Sequence, residues 1–317
     1  ADPPAPTVGQ VWYNSTTKVV KGAINGVGAW ASGGALNTAR SSLGGAGTQT
    51  AGLAFGGYNG SASTGDTEEY NGSSWSEQNN LNTARYAVVG FGTQAAGMAF
   101  GGISLTGKTE KYNGTSWTEV NDGNTARSRP GSVGTQTSAL IFGGYTTDYV
   151  AVTESYNGTS WSEVADLNTA RAGLGSLGTA AAAIGASGTA PVTVNVESWD
   201  GSSWTEIANI NSARADSGSA GIQTEGIIFA GERPGPAGGD AAITEAWNGT
   251  SWTEVADMNT DRATLGGAGT TNTLALAFGG ESTAVTANTE LYNGTSWAEQ
   301  NNLNTAIAKN AGTGSTT

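Results

Sequence analysis

Apolar positions in this chain come in short bursts with long polar gaps, never in stripes at helical spacing. The stretch Arg85–Ala126 shows the pattern. Arg85–Gly92 and Ala95–Phe100 are small-residue and apolar runs, and Gly101-Gly102 ends the second. Thr109–Tyr112 follows a variable loop, and Ser116–Val120 surrounds Trp117. Short β-prone runs bounded by Gly, Asn and Ser predict strands, named A to D here in chain order. Between C and D stands Tyr112-Asn113-Gly114-Thr115-Ser116-Trp117. Asn-Gly in that setting predicts a hairpin with a two-residue type I′ turn, because both central residues need φ > 0.

The same hairpin recurs at Tyr70–Trp75, Tyr156–Trp161, Trp199–Trp204, Trp247–Trp252 and Tyr292–Trp297, with a weaker copy at Asn25–Trp30. Steps between Trp30, Trp75, Trp117, Trp161, Trp204, Trp252 and Trp297 are 45, 42, 44, 43, 48 and 45 residues. A period of roughly 40–50 residues with aromatic and glycine markers belongs to four-stranded propeller blades. One such sheet cannot bury both faces alone, so units must stack about an axis. The fold class expected is all-β.

Three more markers share the period. Gly-Gly stands at 56-57, 101-102, 143-144 and 279-280, with Gly185-Ala186 and Ala230-Gly231 as departures. Strand C carries Glu68, Glu110, Glu154, Glu197, Glu245 and Glu290; the start of strand A carries Arg40, Arg85, Arg127, Arg171, Arg214 and Arg262. Six units thus cover 40–84, 85–126, 127–170, 171–213, 214–261 and 262–306, after a linker-like 1–9. Val11–Tyr13, Thr17–Ile24 and Ala29–Gly33 offer strands B, C and D, and 304–312 offers a strand A. These predict a seventh blade, 10–39 plus 307–317, closed by both ends; the alternative is six blades plus an N-terminal hairpin. Within 10–317 a single domain is expected.

The seventh unit has Ile307 in place of the Arg and no Glu in Lys18–Ile24, so Arg and Glu are present or absent together. That co-occurrence predicts structural ion pairs, since buried charges need partners; the rival is an arginine ring that binds an anion. For the repeated Trp, packing between sheets against the aromatic five residues earlier is expected, and the rival is a set of sugar pockets between blades. Glu77, Glu119, Glu163, Glu206, Glu254 and Glu299 are read as solvated outer-strand positions. The Asn-Gly-Ser/Thr sequons follow from turn chemistry.

Charge and composition remove several functions. The net charge is −13, from 26 acidic and 13 basic residues, and no basic cluster marks a phosphate-backbone footprint, so nucleic acid is not an expected partner. With no His and no Cys, the commonest general base, thiolate nucleophiles and the usual transition-metal ligands are missing. No catalytic residue, metal site or cofactor is expected, and no run is long enough to insert into a membrane. Individuality sits in the B–C loops, where binding residues concentrate. Tyr58, Asn59, Tyr145, Asp148, Tyr149, Arg233 and Asp240 are the candidate contacts.

Gly-Gly, Glu-x-Tyr, Trp and then Arg within one unit resemble the kelch repeat over nearly the whole chain, with an unusually short C–D connection. The resemblance implies a kelch-like β-propeller, strand A innermost and strand D outermost. Kelch-like copper radical oxidases need His and a Cys–Tyr crosslink, which this sequence lacks. Gly9–Thr17, Gly28–Gly34 and Gly45–Ala51 resemble stretches in virion structural proteins of tailed marine bacteriophages, whose repeats are rich in Asn-Gly-Thr-Ser-Trp. That likeness implies a non-enzymatic fibre or decoration component on a virion surface, or an extracellular one. Its expected partners are other virion proteins or host-surface glycan or protein. The alternatives are a bacterial extracellular lectin-like propeller and, behind it, a carboxylate-based glycoside-active enzyme.

Overall fold

The structure is a computed structural model describing residues 11–14, 19–22, 36–48, 50–103, 106–189, 191–234, 239–300, 302, 303, 306 and 308. Six four-stranded antiparallel sheets follow one another in sequence. Blade I is β3–β6 (Gly44–Thr48, Ala51–Phe55, Thr67–Tyr70, Trp75–Gln78), and blade II is β7–β10 (Val89–Thr93, Ala96–Phe100, Thr109–Tyr112, Trp117–Glu119). Blade III is β11–β14 (Gly131–Thr135, Ser138–Phe142, Thr153–Tyr156, Trp161–Glu163), and blade IV is β15–β18 (Gly175–Thr179, Ala182–Ala186, Val196–Trp199, Trp204–Glu206). Blade V is β19–β22 (Gly218–Ile222, Glu225–Phe229, Thr244–Trp247, Trp252–Glu254), and blade VI is β23–β26 (Gly266–Thr271, Leu274–Phe278, Thr289–Tyr292, Trp297–Glu299). The innermost strands touch in the order β3, β7, β11, β15, β19, β23.

Among the described residues the count is six, which corrects the seven-blade expectation in favour of six. The two N-terminal strands, β1 (Val11–Asn14) and β2 (Val19–Gly22), pair with each other as a separate two-stranded sheet. Four-stranded sheets coincide with the units that carry both Arg and Glu, and the unit lacking both does not form one among the described residues. The expected strands at 29–33 and 304–312, and with them Trp30, lie outside the described residues.

Apolar burial is concentrated between blades. Five hydrophobic clusters each join one blade to the next; Leu53 and Phe55 of blade I, for example, pack with Tyr112 and Trp117 of blade II. Strand B is the apolar centre of each sheet, as in Leu140-Ile141-Phe142, all fully buried. In blades I, III, V and VI strand A supplies glycine opposite the strand-B Phe, so the ring can lie flat on the sheet. Gly131 pairs with Phe142, and a Cβ there would meet the Phe142 ring at 2.3 Å.

Two local expectations change. The C–D connection has four residues rather than two: Tyr112 pairs with Trp117, and the Asn113 amide donates to the Ser116 carbonyl. Gly114 alone takes positive φ, 87°, while Asn113 Oδ1 accepts the amides of Thr115 and Ser116. The Asn side chain acts here as a turn-former rather than as a left-handed residue, which also accounts for the sequons at 71, 157, 248 and 293. At the end of strand B both glycines of Gly143-Gly144 have positive φ, and the matching pair in blade IV is Ser187-Gly188 rather than Gly185-Ala186.

Candidate functional site

Each repeated arginine lies four residues before strand A and forms a buried ion pair with the strand-C glutamate of its own blade. The pairs are Arg40–Glu68 (2.5 Å), Arg85–Glu110, Arg127–Glu154 (3.2 Å), Arg171–Glu197 (2.9 Å), Arg214–Glu245 (3.0 Å) and Arg262–Glu290 (2.7 Å). Side-chain exposure is at most 2% in every pair, which leaves no arginine ring open to an anion. Burial pushes the guanidinium groups of Arg127, Arg171, Arg214 and Arg262 below their ordinary pKa, and the paired glutamates oppose it.

A third member of this clasp is the Asn three residues before each Arg. Asn124 donates its amide and its Nδ2 to Glu154 Oε2 and also reaches the Trp161 carbonyl on strand D. Asn37, Asn82, Asn168, Asn211 and Asn259 bind their glutamates in the same way. The crossover segment therefore runs inward across the end of its own sheet, touching D, C and B before it becomes A. Sequence reasoning missed the Asn role, although Asn-Thr-Ala-Arg at 37–40, 82–85, 124–127 and 168–171 was its signal.

The repeated tryptophans are core. Trp117, Trp161, Trp204, Trp252 and Trp297 are 5–7% exposed, each beside the aromatic five residues earlier. Four of them also pack on the strand-B Phe of the preceding blade, at centroid distances of 4.8–5.1 Å. Trp75, in blade I, is only half-buried. The outer glutamates 77, 119, 163, 206, 254 and 299 are exposed, opposite the buried glutamate of strand C.

The B–C loop candidates fall into three groups on blades I, III and V. In blades I, III, IV, V and VI the residue after the clasp Arg forms an isolated bridge to the start of its blade's B–C loop, as in Ser41 with Tyr58 and Ser128 with Tyr145. Loops and strand-A starts therefore share one end of the propeller. Exposed Tyr58 tilts against Tyr86 of blade II (5.4 Å), and exposed Tyr145 meets Tyr149 edge-on (5.3 Å). Asn59 and Asp148 spend their carbonyl and carboxylate oxygens on nearby backbone amides, at Ser61 and Ala62 and at Tyr149. Arg233 is exposed, while burial raises the Asp240 pKa. Tyr86 was not among the sequence candidates, since it lies in the crossover segment rather than in a loop.

Inside the strand-A starts is a cavity of about 400 Å³, lined by Pro130, Ser132, Leu174, Ser176, Ser217, Ser219 and Leu265 among others. Two positions before each strand A stand Ser42, Ala87, Arg129, Gly173, Asp216 and Thr264, two positions after each clasp Arg, and all have φ between 51° and 64°. Backbone bonds link them blade to blade, as in Asp216 amide to Gly173 carbonyl (3.1 Å) and Thr264 amide to Asp216 carbonyl (3.0 Å). Among the described residues no group of three or more His, Cys, Asp or Glu could hold a metal ion.

No family model and no curated protein sequence matches the chain. A solved structure described as the structure of YjhT does, at a TM-score of 0.67 over 83% of this chain and 97% of that one. The chain is a β-propeller. With 14% identity to YjhT, the likeness carries the fold and nothing finer.

Proposed function

We propose that this propeller is a non-enzymatic adhesion or decoration module of a bacteriophage virion surface, meeting host-surface glycan or protein through its B–C loop face. The observation that carries the reading is the pair of exposed tyrosine clusters, Tyr58/Tyr86 and Tyr145/Tyr149, on the loop end of blades I to III. Tyrosine offers a rigid apolar ring with a polar tip, suited to sugars and polar protein surfaces. The repeated charges favour it too, because Arg and Glu are occupied in holding each blade. The virion setting rests on the Asn-Gly-Thr-Ser-Trp repeats and on the resemblance of the N-terminal stretches to phage structural proteins. Sugar sites between blades are the weaker alternative, since the tryptophans they need are covered by neighbouring sheets.

Binding of the purified chain to host cell envelopes and to a glycan array tests this, together with mass spectrometry of purified virions. Wild-type binding that is lost in Tyr58→Ala and Tyr145→Ala supports the reading. Turnover on a glycoside or ester panel, or absence from virions, overturns it.

A further inference from the structure

The rim of the hub breaks the repeat in one place. Arg129 of blade III and Asp216 of blade V form an ion pair above Gly173 of blade IV, and both are part-exposed, at 44% and 21% of their side chains. Unlike the six clasp pairs, this one joins different blades, and its two residues directly precede Pro130 and Ser217 of the cavity lining. Gly173 makes room for it: a Cβ there would lie 2.6 Å from Asp216 Oδ1 and 2.8 Å from an Arg129 terminal nitrogen. The accessible wall below is almost wholly polar. Ser217 lines the cavity, and its Oγ and the Oγ1 of Thr264 are buried with no hydrogen-bond partner among the described residues. Buried hydroxyls without partners are uncommon and mark places where a polar group is wanted.

We propose that this hub cavity binds one small neutral polyhydroxylated molecule, a monosaccharide, with Arg129 and Asp216 as its polar anchors. A vicinal diol suits an Arg–Asp pair, because one hydroxyl donates to the carboxylate while its neighbour accepts from the guanidinium. The pair is neutral overall, so a net-charged ligand gains from one partner and loses to the other. A cavity of about 400 Å³ lies in the size range of small-molecule sites. The inference rests on the adhesion reading only for its choice of sugars.

Saturation-transfer NMR on the full chain, with glucose, galactose and mannose as probes and acetate and inorganic phosphate as anion controls, tests it. At least one sugar binds, and Asp216→Ala and the Arg129→Ala/Asp216→Ala double variant weaken it about tenfold or more, the loss of a charge-assisted bond. Gly173→Ala weakens it as well, by displacing the pair, and Ile222→Ala, at the far end of strand A, leaves it unchanged. Thermal melts confirm that the variants fold. No sugar binding, sugar binding indifferent to Asp216→Ala, or binding of the anions alone overturns the proposal. If hub variants change nothing while Tyr58→Ala and Tyr145→Ala abolish envelope binding, the hub site falls and adhesion stands. Hub sugar binding without envelope attachment does the reverse.

Discussion

Val196 occupies the position from which every other blade interface described draws a hydrogen bond, and it leaves the buried indole Nε1 of Trp252 without an acceptor among the described residues. In blades I, II, III and V the first residue of strand C is Thr. Its Oγ1 accepts from the next blade's tryptophan: Trp117 to Thr67, Trp161 to Thr109, Trp204 to Thr153 and Trp297 to Thr244, all at 2.9–3.0 Å. Blade IV also has Ala186 where its neighbours have Phe142 and Phe229, so the IV–V interface lacks two of the recurring contacts.

Val196→Thr is therefore expected to stabilise the protein. The side chains are close in volume, and the new hydroxyl meets a donor already buried, so a gain of about 1 kcal/mol follows. The mirror change, Thr109→Val, orphans Trp161 Nε1 and costs about 1–3 kcal/mol. Urea unfolding followed by tryptophan fluorescence measures both. A Val196→Thr protein no more stable than wild type refutes the assignment.

The clasp predicts a larger effect. Glu154 is fully buried, ion-paired with Arg127, and accepts from Asn124 and the Thr125 amide. Glu154→Gln leaves a buried guanidinium without a counter-charge and is expected to cost about 3–5 kcal/mol. Asn124→Ala removes neutral donors and should cost less, about 1–2 kcal/mol. Equal stability of Glu154→Gln and wild type, with loss of an anion's binding in Arg171→Ala, would restore the anion-ring reading.

Much of this was legible beforehand because each marker performs the same task in every unit. Arg127 and Glu154 could be paired from their joint presence and absence alone. Tyr112 opposite Trp117 followed from strand alternation. The turn went wrong because Asn113 can satisfy amides with its side chain as readily as it can adopt positive φ, and the dipeptide does not distinguish the two. Gln94 and Gln136 went unread because their Nε2 groups bond carbonyls of the preceding blade, Tyr70 at 2.7 Å and Tyr112 at 2.7 Å, contacts that exist only once sheets are stacked. Arg129 and Asp216 are single departures in the repeat, and periodicity hides what does not recur.

Gly131→Ala tests the packing of strand A against strand B. The added methyl meets the Phe142 ring at 2.3 Å, and that ring already packs against Trp204 of the next blade at 4.8 Å. Neither can yield without disturbing the III–IV interface, so overpacking of about 1–3 kcal/mol is expected. A melting temperature unchanged from wild type would show that the ring moves freely.

Asp200 gives a prediction about acid. It takes the place of Asn at the head of the blade IV turn, and its carboxylate accepts the amides of Ser203 and Ser202 and the Ser202 hydroxyl. These bonds, the Ser203 amide foremost, lower its pKa from 3.8 to about 2. A depressed folded pKa means that the contribution is complete above the unfolded value near 3.8 and fades as pH falls through about 2. Asn at this position keeps an oxygen acceptor but cannot titrate. Wild type should therefore lose stability relative to Asp200→Asn between pH 4 and 2 and hold a constant offset above pH 5. Carbon-13 titration of the Asp200 carboxyl, with paired melts at both ends of that window, decides it. A carboxyl that titrates at the ordinary aspartate value, with parallel melting curves, rules out the turn as the cause.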